Sequence, residues 1–341
     1  MTERPITTLL IASDFHLGLR RKANFTSESS GRRERRAREV LRQLYDQPAD
    51  AMVCCGDFFD RSNNSEDTIL DALEFAEFQY DRPLFILAGN HDIFQVADKK
   101  ASLHVIEEIA TSNRQPTQVL FDPTLIDIGL CRLYFLPHCL SQELFLEALD
   151  EAERAAREPP TILFLHCTYN MAFEGTNTSL NLTRERAAQL LKTFRYIFIG
   201  HEHTPRTDFD GHLILVGSHY PTAFDNLTDK VHYHIHLPTM TVTRKIHWEA
   251  ARHVYCGPAD QAVAGYEFYD LEGEVDPKVP VRLFKEGALG VRTPVRLAVD
   301  RSEMLAGVTL ERLPELIVRE LAAHPNQLAL WEELTCSTTS D

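Results

Sequence analysis

The chain has 341 residues, 44% hydrophobic and 25% charged, with 50 acidic against 35 basic side chains and a net charge of −15. That make-up excludes a disordered chain, a collagen and a small disulfide scaffold, and it leaves room for roughly two domains. The longest apolar runs, such as Leu9 to Ala12 and Thr161 to Leu165, stop far short of the roughly 20 residues that a membrane-spanning helix needs, so no membrane partner is expected.

Glu3, Arg4 and Pro5 stand where an export signal would begin, so a cytoplasmic protein is expected. Seven cysteines (Cys54, Cys55, Cys131, Cys139, Cys167, Cys256, Cys336) form an odd, scattered set with no CxxC pair, which suits reduced thiols used for packing. A first strand is predicted over 7–13, closing on Asp14-Phe15-His16. Residues 20–42 then hold nine bases (Arg20, Arg21, Lys22, Arg32, Arg33, Arg35, Arg36, Arg38, Arg42) against three acids, a local +6 that leaves −21 for the remainder. Ala37, Val40, Leu41, Leu44 and Tyr45 in that segment recur at helical spacing, which predicts one buried stripe with the arginines off it.

Strands over 51–56 and 83–89 end on Gly56-Asp57-Phe58-Phe59-Asp60 and Gly89-Asn90-His91-Asp92. The helix predicted between them, over 66–80, places Ile69, Leu73, Ala76 and Tyr80 on one stripe. Phe75 and Phe78 fall on other faces and require a cover, either within the fold or from a second copy in a homodimer. Strands over 161–166 and 196–200 end on His166 and on Gly200-His201-Glu202-His203. The alternation predicts a layered α/β domain whose polar clusters gather beyond the carboxyl ends of the strands. Past Gly211, residues 212–216, 231–237 and 241–247 alternate with period two and predict a second sheet. Gly, Pro and Asp at 257–260 and an acidic turn at 270–276 mark a boundary near 250, dividing a larger domain (1–250) from a small unit (251–341). That unit holds a strand candidate over 291–299 and a helix near 310–323 striped by Leu310, Leu313, Ile317 and Leu321.

Every strand-end cluster supplies metal-binding donors. Oxygen and imidazole groups without thiolate suit divalent manganese, iron or zinc rather than a closed structural zinc site. Seven such donors exceed one tetrahedral site, whereas two ions roughly 3.5 to 4 Å apart, bridged by one carboxylate, would use them all in phosphoryl transfer. Single histidines such as His104, His138 and His253 read as packed or surface residues. Glu202 lies between two donors and is expected to point away, and Asp60 is either a partner holding a donor histidine or a helix cap.

These five blocks, in this order over residues 14–203, resemble the calcineurin-like metallophosphoesterases. The resemblance implies a four-layer α/β/β/α sandwich with a small C-terminal α+β capping domain. It implies that Asp14, His16 and His203 bind one ion, that Asn90, His166 and His201 bind the other, and that Asp57 bridges both. His91 then matches the family's non-ligand histidine, which donates a proton to the leaving oxygen or stabilises the transition state, with Asp92 orienting it.

Ser13-Asp14-Phe15-His16-Leu17-Gly18, Gly56-Asp57-Phe58-Phe59-Asp60-Arg61-Ser62 and Val216-Gly217-Ser218-His219-Tyr220-Pro221-Thr222 look most like the SbcD-type DNA repair nucleases of bacteria and their phage counterparts. This narrower resemblance implies manganese-dependent DNA cleavage, as a 3′→5′ double-strand exonuclease and single-strand endonuclease, with an SbcC-type SMC-like ATPase as partner. Arg20, Arg21, Lys22, Arg32, Arg33, Arg35 and Arg36 are then candidates for contact with the DNA backbone. A phosphodiesterase or phosphatase of a small nucleotide would use the same metals, and a non-catalytic scaffold is a third possibility that the complete donor set argues against.

Overall fold

The architecture comes from a computed structural model that describes residues 5–19, 27–77, 82–94, 99–114, 116–156, 160–171 and 180–294. Arg20, Arg21, Lys22, Phe78, Tyr80, Cys336, most of the strand expected over 291–299 and the helix expected near 310–323 lie outside these residues. The chain runs through β1 (Thr8–Ala12), α1 (Ser27–Tyr45), β2 (Ala51–Cys54), α2 (Glu66–Glu77), β3 (Leu84–Leu87), α3 (Ser102–Ser112), β4 (Thr117–Leu120), β5 (Thr124–Asp127) and β6 (Arg132–Leu136). It continues with α4 (Gln142–Ala155), β7 (Thr161–His166), β8 (Thr168–Tyr169), β9 (Asn181–Leu182), α5 (Arg184–Leu190), β10 (Phe194–Gly200), β11 (Arg206–Asp208), β12 (Leu213–Leu215), β13 (Lys230–His236) and β14 (Thr241–Trp248). Last come α6 (Ala250–His253), β15 (Val254–Pro258), β16 (Phe268–Glu272), α7 (Lys278–Lys285) and β17 (Gly290–Arg292).

Two six-stranded sheets form, in the orders β14-β13-β1-β2-β3-β4 and β11-β12-β10-β7-β6-β5. Their central strands are parallel and buried throughout, as in β2, β3 and β7, because both faces of each sheet are covered. The inner faces share one core, in which Leu9, Ile11, Val53 and Phe85 from the first sheet meet Phe135, Phe164 and Phe198 from the second. On the outer face of the first sheet Leu10, Met52 and Ile86 pack with Leu41, Leu44 and Leu103 of α1 and α3, and on that of the second Leu163, Leu165 and Ile197 pack with Phe145, Leu149 and Leu190 of α4 and α5. This is the α/β/β/α layering that the resemblance implies.

Three expectations change. The stretches past Gly211 form no sheet of their own: β12 joins β10 in parallel, while the β13–β14 hairpin adds to β1 antiparallel. Period-two alternation reports which face of a strand is buried, not which neighbour it takes. The buried face of α2 is Thr68, Ala72 and Phe75, with Ile69 and Leu73 only half-buried. Phe75 is therefore covered within the fold, its ring 4.0 Å from Tyr45, 5.9 Å from Phe15 and 6.0 Å from Phe58. Burying an aromatic ring outweighs burying a second aliphatic side chain, and this rotates the helix.

The third change concerns the arginines of α1. Strands β15, β16 and β17 form a small parallel sheet whose core includes Tyr269, Leu271, Leu283 and Val291. Val40 of α1 packs with Tyr220, Trp248, Phe268 and Leu289 beside it. Arg32 donates to the carbonyls of Phe284 and Ala288 at 3.1 and 3.4 Å, and Arg33, 2% exposed, donates to the Pro221 carbonyl at 2.5 Å. Arg36 donates to Glu267 at 2.8 Å, a carboxylate that also accepts from the Tyr220 hydroxyl at 2.6 Å and the Trp248 indole at 3.3 Å. Arg32 and Arg36 thus tie α1 to the segments around the small sheet, and Arg33 ties it to the loop that holds Pro221. A guanidinium with five donors on a long stem can satisfy carbonyls across such a junction, and a charge count along the chain does not register that use. Arg38 and Arg42 pair with Asp71 and Glu74, and Arg35 remains exposed.

Candidate metal centre

The five clusters leave their strands at one end of the two sheets and interlock through backbone hydrogen bonds. The Asp14 and His16 amides donate to the carbonyls of Gly56 and Asp57 at 3.0 and 2.9 Å, and the His201 amide donates to the Asp14 carboxylate at 3.1 Å. Asp14, His16, Asp57 and His201 all have positive φ, of 53°, 44°, 49° and 88°. Backbone held in this region by non-glycine residues is strained and persists only where its surroundings over-determine it. Two glycines permit the close approach: a Cβ on Gly56 would lie 2.0 Å from His166 Nδ1, and one on Gly89 would lie 2.2 Å from Asp57 Oδ1.

Donor atoms converge as two groups. His16 Nε2 and His203 Nε2 stand 3.0 Å apart, each about as close to Asp14 Oδ1, at 4.0 and 3.8 Å. His166 Nε2 and His201 Nδ1 meet Asn90 Oδ1 at 3.0 and 2.9 Å. Asp57 lies between the groups, with Oδ2 3.8 Å from His16 Nε2 and Oδ1 3.3 Å from His166 Nε2. Asp14, His16 and His203 form one potential cation cluster and Asp57, His166 and His201 another, each with its donor atoms within 4.8 Å of one another. Facing imidazole nitrogens can share only one proton, and a carboxamide oxygen has none to give, so converging lone pairs of this kind fit divalent cations.

Burial and neighbouring charges act on the donors in opposite directions. Burial alone would raise Asp57, but the His166, His16 and His91 imidazoles hold it well below the usual carboxylate range. Burial and neighbouring imidazoles lower His201 to about 3 and His203 to about 2, which keeps both rings neutral. Burial raises Asp14. Burial opposes a charge on His16, yet Asp60, Asp57 and Asp14 together raise it.

Around the donors, His166 Nδ1 donates to the Cys55 carbonyl at 2.8 Å, which leaves Nε2 as the inward atom. Asp60 Oδ1 lies 3.4 Å from His16 Nδ1. A ring nitrogen of His91 lies within 4.8 Å of donor atoms of His16 and Asp57, and its Nδ1 donates to the Asp60 carbonyl at 2.7 Å. That carbonyl orients His91, a task that the family resemblance gives to Asp92. The Asp92 carboxylate instead turns inward and accepts from the amides of Phe58, Phe59 and Gly89 at 3.1, 2.9 and 2.9 Å, and burial beside Asp57 pushes it up to about 6. Glu202 points away from the donors, accepting from the Tyr169 amide at 2.7 Å and pairing with Arg206 at 2.8 Å. His104 and His253 stack on Phe121 and Trp248, whereas buried His138 lies with its ring 6.4 Å from that of His166. Sequence reasoning missed Thr222 and Asn226, at 2.7 and 3.2 Å from His203 Nδ1. Thr222 does fall in the 216–222 segment that carries the SbcD-like resemblance.

Fold and site together define a metal-dependent phosphoesterase. The family model of the calcineurin-like phosphoesterases matches residues 7–205, more than half of the chain, and the chain belongs to that family. No curated protein matches it. Among solved structures, one described as a novel archaeal phosphodiesterase is 14% identical over 70% of this chain and 99% of its own, with a TM-score of 0.35, a likeness too loose to bear on substrate.

Proposed function

We propose that the protein is a two-metal, manganese-dependent phosphodiesterase acting on DNA, as a 3′→5′ double-strand exonuclease and single-strand endonuclease. It serves in this reading as the nuclease subunit of an SbcCD-like complex, partnered by an SbcC-type SMC-like ATPase and a second copy of itself. The observation that carries the diesterase reading is Asp57, whose two oxygens divide between the donor groups. Bound cations supply Lewis acidity and neutralise charge on the phosphoryl group. Asp57 stays ionised, and His201 and His203 offer neutral rings. His91 presents Nε2, because Nδ1 is committed to the Asp60 carbonyl, and delivers its proton to the leaving oxygen.

DNA as substrate draws support from the SbcD-like runs at 13–18, 56–62 and 216–222, the last of which packs behind the site through His219, 3.3 Å from the Asp14 carbonyl. A second reading, hydrolysis of a small nucleotide diester, is favoured by the internal use of Arg32, Arg33 and Arg36. One assay separates the two: turnover of a linear duplex and of a cyclic nucleotide with manganese, with and without the partner ATPase. The DNA reading predicts degradation of the duplex, and its absence in both conditions beside rapid turnover of the cyclic nucleotide selects the second. His91→Ala is expected to lower cleavage about 10²- to 10⁴-fold with manganese binding unchanged.

A further inference from the structure

His203 has one ring nitrogen in the donor group and one outside it. Nε2 faces His16 and Asp14, while Nδ1 lies 2.7 Å from Thr222 Oγ1, beyond the residues that the family model matches. Thr222 and Asn226 are 2% and 4% exposed, so water does not substitute for their hydrogen bonds. Asn226 spans its own turn: Oδ1 accepts from the amides of Thr222 and Ala223 at 3.1 and 3.3 Å, and Nδ2 donates to Thr222 Oγ1 at 2.7 Å. The hydroxyl oxygen, which can accept twice, is the acceptor open to a proton on His203 Nδ1, whereas Asn226 Nδ2, 3.2 Å from the same nitrogen, offers only hydrogens. The backbone is fixed as well, since Ser218 N and Lys230 Nζ both donate to the His203 carbonyl at 3.2 Å.

We propose that Thr222, held by Asn226, is a positioning residue that keeps the proton of His203 on Nδ1 and so presents Nε2 as a bare lone pair to the cation. The opposite tautomer puts a hydrogen on Nε2, where it blocks coordination. An outer partner of this kind fixes both tautomer and ring orientation, and its loss typically weakens metal affinity about 10- to 100-fold. The inference rests on the reading that His203 binds one of two metals.

The test is calorimetric titration of the full chain with manganese, alongside thermal melting, for the wild type, Thr222→Val, Thr222→Ser and Asn226→Leu. Expected are two sites in the wild type and one site weakened about 10- to 100-fold in Thr222→Val. Thr222→Ser, which keeps the hydroxyl, should retain wild-type affinity at both sites, and Asn226→Leu, which frees that hydroxyl, should lose affinity at the same single site. If the wild type takes up no manganese, the two-metal reading fails and the proposal with it. If the wild type binds two ions and Thr222→Val and Asn226→Leu bind both as tightly, only the positioning role is overturned. A loss in Thr222→Ser equal to that in Thr222→Val also overturns it. Should Thr222→Val not fold, the contrast between Thr222→Ser and Asn226→Leu decides.

Discussion

With Nδ1 committed to the Cys55 carbonyl and Nε2 facing Asp57, His166 keeps a proton in the metal-free protein. Burial opposes that charge, but the Asp57 and Asp14 carboxylates raise its pKa to about 9. A cation must displace this proton, because only the neutral ring is a ligand. Manganese affinity is therefore expected to rise roughly tenfold per pH unit from 7 towards 9 and to level off above. Calorimetry in buffers of different ionisation enthalpy should register about one proton released per chain at pH 7; a flat affinity over that window contradicts the assignment. All seven donor positions were legible in the sequence as residue types at strand ends. Their supports were not, because the Cys55 and Asp60 carbonyls belong to the backbone and carry no residue signature.

The β13–β14 hairpin couples a second set of histidines to pH. His247 Nε2 donates to the His219 carbonyl at 2.7 Å, so its Nδ1 accepts from His232 Nδ1 at 3.3 Å, and His232 Nε2 is left buried without a partner. Burial, with neighbouring imidazoles, lowers His219 and His232 to about 3, and burial lowers His247 to about 4. These folded-state values lie below the ordinary 6.5, so under pH 6.5 the unfolded chain binds more protons than the folded one. The stability they contribute is complete above pH 6.5 and is lost as pH falls towards 3, at up to about 1.4 kcal/mol per unit for each ring. Urea midpoints of the metal-free protein should drop steadily from pH 6.5 to 4, and His232→Phe should make that slope shallower by one proton. An unchanged midpoint at pH 5 would show that these rings are not held neutral. The sequence marks this hairpin as strand, but the edge of β1 that it joins is a matter of long-range pairing.

For the molecule as a whole, a net charge of −15 repels a polyanion, so the proposed binding of DNA would depend on where exposed bases lie. Arg33 is internal, and replacing it with Met strands the Pro221 carbonyl at an expected cost of about 1–3 kcal/mol in a denaturant melt. Arg35 is exposed on the same helix. Arg35→Glu should leave the melt unchanged and weaken duplex binding several-fold at low salt, an effect that fades as salt rises. If duplex affinity is unaltered by Arg35→Glu at low salt, α1 does not lie on the path of the DNA.

Local chemistry determined much of this protein by itself. Strand-end blocks of Asp, Asn and His need only their own residue types and order to announce a metal site, and the buried stripe of Val40, Leu41, Leu44 and Tyr45 follows from helical geometry. Tertiary structure alone decided the rest: that Phe75 turns inward to an aromatic cluster, that Arg32, Arg33 and Arg36 are used inside the fold, and that Thr222 reaches His203 across 19 positions. Each depends on which surfaces meet, and contacts between distant segments leave no periodic trace in either.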